Sequence, residues 1–118
     1  MGLGYMLTEE QKEDPSTGAL LTNNTWEYKP PMGKDIPIDF RVHLLKNAPN
    51  PLGILRSKAS GEPPLCMSCS ALFALKHAAE AAREEIGQNT FFPLSAPATL
   101  EKINTACLLK PDQMVLTI

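Results

Sequence analysis

Glu62 stands between Gly61 and Pro63, with Pro64 next, and this short run is the strongest candidate for chemistry in the chain. Glycine lets another group approach the backbone closely, while the two prolines fix the chain direction and set the start of a helix behind the carboxylate. A carboxylate positioned in this way can accept a proton as a general base. A plainer role fits the same position. An acidic side chain in the first turn of a helix gains about 0.3–1 kcal/mol from the helix dipole and needs no catalytic duty. On the residue types alone both readings stay open.

Cys66 and Cys69 form a CxxC, the spacing of a zinc or redox pair. A structural zinc takes four ligands, and Cys107, His43 and His77 offer no second close pair at finger-like spacing. The residues therefore point to no metal ligands. Cysteines at i and i+3 on an apolar helix read as small, reduced core residues. His43 falls on the polar side of an alternating segment and His77 on the polar side of a helix. Neither has a neighbouring Ser or Cys that would make a nucleophile and base pair. No glycine-rich phosphate loop is present.

The elements that must position these residues follow from periodicity. Leu3, Met6 and Leu7 recur at i, i+3 and i+4, one face of a helix. Gly2 and Gly4 in its first turn, and the lack of a Ser, Thr, Asp or Asn cap, suggest that its first turns belong upstream of Met1. Residues 11–33 form a long connection, with a turn at Asp14-Pro15-Ser16-Thr17-Gly18. Trp26 and Tyr28 in that connection need a surface to pack on. Ile36, Ile38, Phe40, Val42 and Leu44 alternate with Pro37, Asp39, Arg41, His43 and Leu45, which predicts a strand over 36–46. A short second strand over 52–56 follows.

After Pro63-Pro64, the residues Ser68, Ala71, Leu72, Leu75, Ala78, Ala79, Ala82 and Ile86 step by threes and fours. They predict one helix over about 64–86, stopped by Gly87. Lys76, His77, Glu80, Arg83 and Glu84 take its other side, with Lys76 and Glu80 paired at i, i+4. Leu65 to Phe73 is apolar or small on all sides, so that half should be buried. A turn is expected at Phe92-Pro93, a helix over about 99–108 capped by Thr99, and an apolar end at 114–118. The fold class is therefore α+β, with a strand-rich N-terminal half, one long buried helix and one short helix.

With 118 residues, 43% hydrophobic, the chain is at most one domain, and 11 prolines indicate much irregular backbone. A net charge of -2 provides no field to gather phosphates, which argues against nucleic acid. No run approaches the roughly 18–20 apolar residues of a membrane span, and no signal peptide is visible. Three cysteines without an export signal fit reduced thiols and a cytoplasmic location.

Phe40-Arg41-Val42-His43-Leu44-Leu45, then Ser57-Lys58-Ala59-Ser60-Gly61-Glu62-Pro63-Pro64-Leu65 and an Ala-rich helix, resemble the molybdenum hydroxylases, the aldehyde oxidase and xanthine dehydrogenase family. Gly2-Leu3-Gly4-Tyr5, Thr25-Trp26-Glu27-Tyr28-Lys29-Pro30 and Ser95-Ala96-Pro97-Ala98-Thr99 are similar to family segments in the same order. The resemblance covers nearly the whole chain. It implies that residues 1–118 are a C-terminal fragment of the second molybdopterin-binding domain, itself a larger α+β domain.

In that family the glutamate of the string, here Glu62, is the general base that takes a proton from a molybdenum-bound hydroxyl. Such a carboxylate beside an apolar helix is readily tuned for the task. The resemblance also implies a contact between Gly61 and the molybdenum-molybdopterin cofactor. The complete enzymes carry FAD and two 2Fe-2S clusters as well. This segment is not expected to bind them, because three cysteines cannot supply two clusters. Partners are a small aldehyde or aromatic N-heterocycle and, for complete relatives, a second copy in a homodimer. Trp26 to Pro30 and Leu65 to Ser68 resemble aldehyde oxidases of invertebrates or plants more than mammalian xanthine dehydrogenases. The fragment alone is expected to be inactive. The alternative is a noncatalytic short chain that binds a full-length relative.

Overall fold

A computed structural model describes residues 1–53 and 61–113 of the chain. Among the described residues there are four α-helices, α1 (Gly2–Leu7), α2 (Glu62–Met67), α3 (Cys69–Glu85) and α4 (Leu100–Ala106), with 3-10 turns at Gly33–Asp35 and Pro111–Gln113.

Glycine sets how closely α1 packs. A Cβ on Gly2 would lie 2.0 Å from Ser68 Oγ and 3.2 Å from the Leu65 Cα, so only a residue without one lets α1 lie on the α2–α3 junction. A Cβ on Gly4 would meet Glu9 Oε1 at 2.0 Å and Pro31 Cδ at 2.7 Å. These two glycines thus have a packing reason within the chain. Tyr28 Oη donates to Glu9 Oε2 at 2.6 Å, tying the long connection to the end of α1. That hydrogen bond to the carboxylate, followed by burial, raises the Tyr28 pKa above the usual phenol value.

The connection turns where Asp14 predicts it. Asp14 Oδ1 accepts from Ser16 N at 2.7 Å, Thr17 N at 3.1 Å and Ser16 Oγ at 2.6 Å, and Gly18 takes a positive φ of 71°. Glu13 and Leu20 then form an isolated antiparallel bridge. Glu10 bonds Lys12 Nζ at 3.2 Å and Lys102 Nζ at 3.3 Å, joining this hairpin to α4. Burial acts to raise the Glu10 pKa, but the two lysines outweigh it and leave it below the usual value.

The strand-rich half does not form. Residues 36–46 carry neither helix nor strand hydrogen bonds, and among the described residues no named strand exists. The alternation is real, but a strand needs a neighbour for its backbone groups and a surface for its apolar face. No described segment supplies either. Ile38 is 107% exposed and Leu44 84%. The chain is therefore helical among its described residues and not a strand-rich α+β unit. The expected strand over 52–56 lies mostly, and the apolar end at 114–118 wholly, outside the described residues.

The long helix is also different from its pattern. It is interrupted at Ser68, whose amide is shared between Pro64 O and Leu65 O at 3.2 Å each while its Oγ donates back to Pro64 O at 2.9 Å. Its first half is not buried, since Leu65, Met67 and Phe73 are all exposed. The buried stripe is rotated toward Ala79 and Arg83, and Ile86 is left exposed. Gly87 does stop α3. With φ 74° it lets Gly87 N donate to Glu84 O and Gln88 N to Arg83 O, the paired bonds of a Schellman end.

Thr99 caps α4, its Oγ1 accepting from Lys102 N at 3.5 Å. Residues 92–93 are straight, and the chain bends instead at Ala96-Pro97. Among the described residues the core is small: Ala79, Ala98 and Ala106 are its buried apolar side chains, and Ala98 N donates to Met6 O at 2.8 Å. Arg83 completes it. Its guanidinium donates to Ala106 O at 3.0 Å and Thr90 Oγ1 at 3.2 Å and lies 4.6 Å from the centre of the Phe92 ring.

Candidate active site

Glu62 is the first residue of α2, placed there by the Gly61-Glu62-Pro63-Pro64 run that starts the helix. Its side chain is exposed. Among the described residues it accepts no hydrogen bond and forms no ion pair, and the helix has no side-chain cap bond. The carboxylate is thus held by no described donor, although it sits in the first turn of α2, where the helix dipole favours an acid. Gly61 has ordinary right-handed angles, φ -69° and ψ -42°, and no described atom lies within 4 Å of where a Cβ would be. Neither its backbone angles nor any described neighbour requires glycine.

Ser57 to Ser60, which complete the string, lie outside the described residues. A cleft of about 600 Å³ lies between the hairpin, residues 92–95 and α4, and Glu62 is not among its lining residues. The described residues around Glu62 therefore offer a reachable carboxylate and an open backbone edge, without walls that would enclose a large cofactor. By themselves they do not enclose a molybdopterin.

The other candidates are dispersed. Cys66 is an exposed free thiol on α2 and Cys69 a half-buried one at the start of α3, so the break at Ser68 separates two cysteines expected to be buried on one helix. Among the described residues no three His, Cys, Asp or Glu side chains gather as a metal site. His43 is exposed, and His77 sits with Nδ1 3.0 Å from Glu80 Oε2 on the outer face of α3. Lys76 lies 4.0 Å from Glu80, as the i, i+4 spacing implies. Trp26 finds no packing surface and is 82% exposed. Charge alone puts Arg83 on the polar face of the helix, although Phe91 and Phe92, eight and nine residues on, are a signal that a cation could be covered by rings.

No protein-family profile matches the chain. Individual proteins do. It is 47% identical over 109 residues to a xanthine dehydrogenase/oxidase of Rattus norvegicus, covering 91% of this chain and 8% of that protein. Identity to xanthine dehydrogenase 2 of Arabidopsis thaliana is 45% over 112 residues, and to a xanthine dehydrogenase of Dictyostelium discoideum 45% over 107, each again 8% of the relative. The similarity supports the molybdenum hydroxylase family. The chain spans about 8% of the length of these relatives. They bear the xanthine dehydrogenase name, one of them mammalian, so the leaning of Trp26 to Pro30 toward aldehyde oxidases finds no support in them. No helix among the described residues is long and apolar enough to cross a membrane.

Proposed function

We propose that this chain is the C-terminal part of the second molybdopterin-binding domain of a cytoplasmic molybdenum hydroxylase, and that Glu62 is its general base. The observation that carries the reading is Glu62 itself. It closes a family-like Ser-Lys-Ala-Ser-Gly-Glu-Pro-Pro string, yet its carboxylate is exposed and engaged by no described residue. Glu62 is free to meet a substrate-side proton.

In the complete enzyme the molybdenum cofactor supplies the redox chemistry, with FAD and two 2Fe-2S clusters carrying electrons onward. Glu62 contributes a proton acceptor at its Oε atoms. Pro63 and Pro64 hold the direction in which that acceptor projects, and Gly61 keeps the adjacent backbone edge open for the pterin. The substrate class is a small aromatic N-heterocycle or aldehyde, with the names of the relatives favouring the heterocycle. The isolated chain, whose described residues put no walls around Glu62, is inactive.

The test is a graft of residues 2–110 in place of the matching segment of an active xanthine dehydrogenase, followed by Glu62→Gln. Glutamine keeps shape and hydrogen-bond reach but cannot take the proton. Turnover should fall about 10²- to 10⁴-fold, the usual worth of a positioned base, with molybdenum content unchanged. Turnover within a few-fold of the unmutated graft at equal molybdenum loading would remove Glu62 from the reaction.

A further inference from the structure

Cys66 lies in the last turn of α2 and Cys69 opens α3, so the break at Ser68 falls between two thiols three residues apart. In an unbroken α-helix the Cβ atoms of such a pair stand about 5–6 Å apart, wider than the roughly 3.5–4.5 Å that a disulfide takes. The break changes this spacing. Ser68 has φ -63° and ψ -15°, close to the angles of a 3-10 turn. Two backbone bonds agree with it: Ser68 N donates to Leu65 O at 3.2 Å and Ala71 N to Ser68 O at 3.1 Å, each spanning three residues. In 3-10 geometry the side chains at i and i+3 eclipse, and their Cα atoms lie about 6 Å apart, near the usual separation across a disulfide. Cys66 is exposed and Cys69 half-buried, so one thiol meets solvent while the other is shielded beside it.

We propose that Cys66 and Cys69 are a dithiol site that exchanges with a small disulfide of the oxidised glutathione class and closes into a reversible disulfide across Ser68. Cys66, as its thiolate, attacks one sulfur of the small disulfide. That S–S bond breaks and one small thiolate leaves. Cys69 then attacks Sγ of Cys66 in the mixed disulfide, and the second small thiolate leaves. The two cysteines give up two electrons and two protons, and the small disulfide becomes two thiols. A structural zinc is a poorer use of the pair, because it takes four ligands and among the described residues no three His, Cys, Asp or Glu side chains gather. Cys107, at the end of α4, belongs to a different element and is not the partner.

The experiment incubates the reduced full chain with oxidised glutathione, under a chelator and without air, and reads it by intact and tandem mass spectrometry. The chain should lose two hydrogens, with the bond located between Cys66 and Cys69, Cys107 still open to alkylation, and full reversal by dithiothreitol. Cys69→Ser removes the resolving thiol and should instead retain one glutathione on Cys66. Cys66→Ser leaves only the half-buried thiol of the pair and should react several-fold more slowly there. The pairing is read on the parent chain, so a variant that fails to fold leaves the test intact. Glutathione that persists on Cys66 of the parent, a bond to Cys107, a bond between two chains, or thiols that stay free in a helical chain under excess oxidised glutathione would each overturn the proposal.

Discussion

Replacing Arg83 by alanine should lower the stability of the helical unit by about 2–3 kcal/mol. Arg83 is 7% exposed and reaches three elements at once: Ala106 O at the end of α4, Thr90 after α3, and the Phe92 ring. Each hydrogen bond contributes about 1 kcal/mol net, the ring contact about another 1, and the buried methylenes of the stem about 0.8 each. Opposing these is the cost of a buried guanidinium with no carboxylate among its contacts and with Nε unpartnered, about 1–3 kcal/mol. The balance favours arginine because its stem and plane fill the space between α3, α4 and Phe92. Urea unfolding followed by circular dichroism at 222 nm measures it, with a midpoint shift of about 1 M or more. Arg83→Met separates the parts, keeping the stem while removing charge and donors, and should recover about half of the loss. An alanine variant within about 0.5 kcal/mol of the parent would refute the accounting and reduce Arg83 to a covered surface cation.

Gly87→Ala should cost about 1–2 kcal/mol, because φ 74° is a left-handed angle that a Cβ disfavours, and amide exchange in the last turn of α3 should report it. Asp14 is held below the usual aspartate pKa first by its bond from Ser16 Oγ, then by the Ser16 and Thr17 amides. A depressed folded-state pKa means that the turn gains stability above the ordinary aspartate value and loses it as pH falls through the lower one. Amide shifts of Ser16 and Thr17 should therefore titrate with a midpoint below that of an unstructured aspartate, and a midpoint at or above it would contradict the turn. Gly61→Ala should leave the unfolding midpoint of the chain unchanged, since nothing described lies within 4 Å. In the grafted enzyme the same change should reduce molybdenum content or turnover, and full retention of both would exclude close approach at Gly61.

What the sequence made legible was whatever is decided within a few residues. Asp14 with Ser16 and Gly18, Thr99 before α4, Gly87 after α3 and the Lys76–Glu80 pair each depend on local hydrogen bonds or dihedral angles, and each is found in place. What failed needed a distant partner. Periodicity at 36–46 states which side chains would share a face, but not whether a second strand is present to receive the backbone. The break at Ser68 was hidden because the apolar steps run straight through it, while the serine hydroxyl competes for the carbonyl of Pro64. Arg83 was misplaced because side-chain class stood in for surroundings. Its burial depends on Phe92 and on a carbonyl 23 residues away. At the candidate site, the prolines announce the helix start at Glu62, but the exposure of its side chain depends on surroundings that the local run does not state.

The exposure of Glu62 sets one physical requirement on any protein in which it acts. A general base must hold a hydrogen bond to the proton that it takes, and at an open carboxylate water competes for that bond. The described residues supply no walls that would exclude that water. Glu62→Gln in the grafted enzyme should therefore lower turnover even at saturating substrate, because glutamine fills the same place without accepting the proton. A loss confined to low substrate concentration would mean that Glu62 helps to bind substrate and moves no proton.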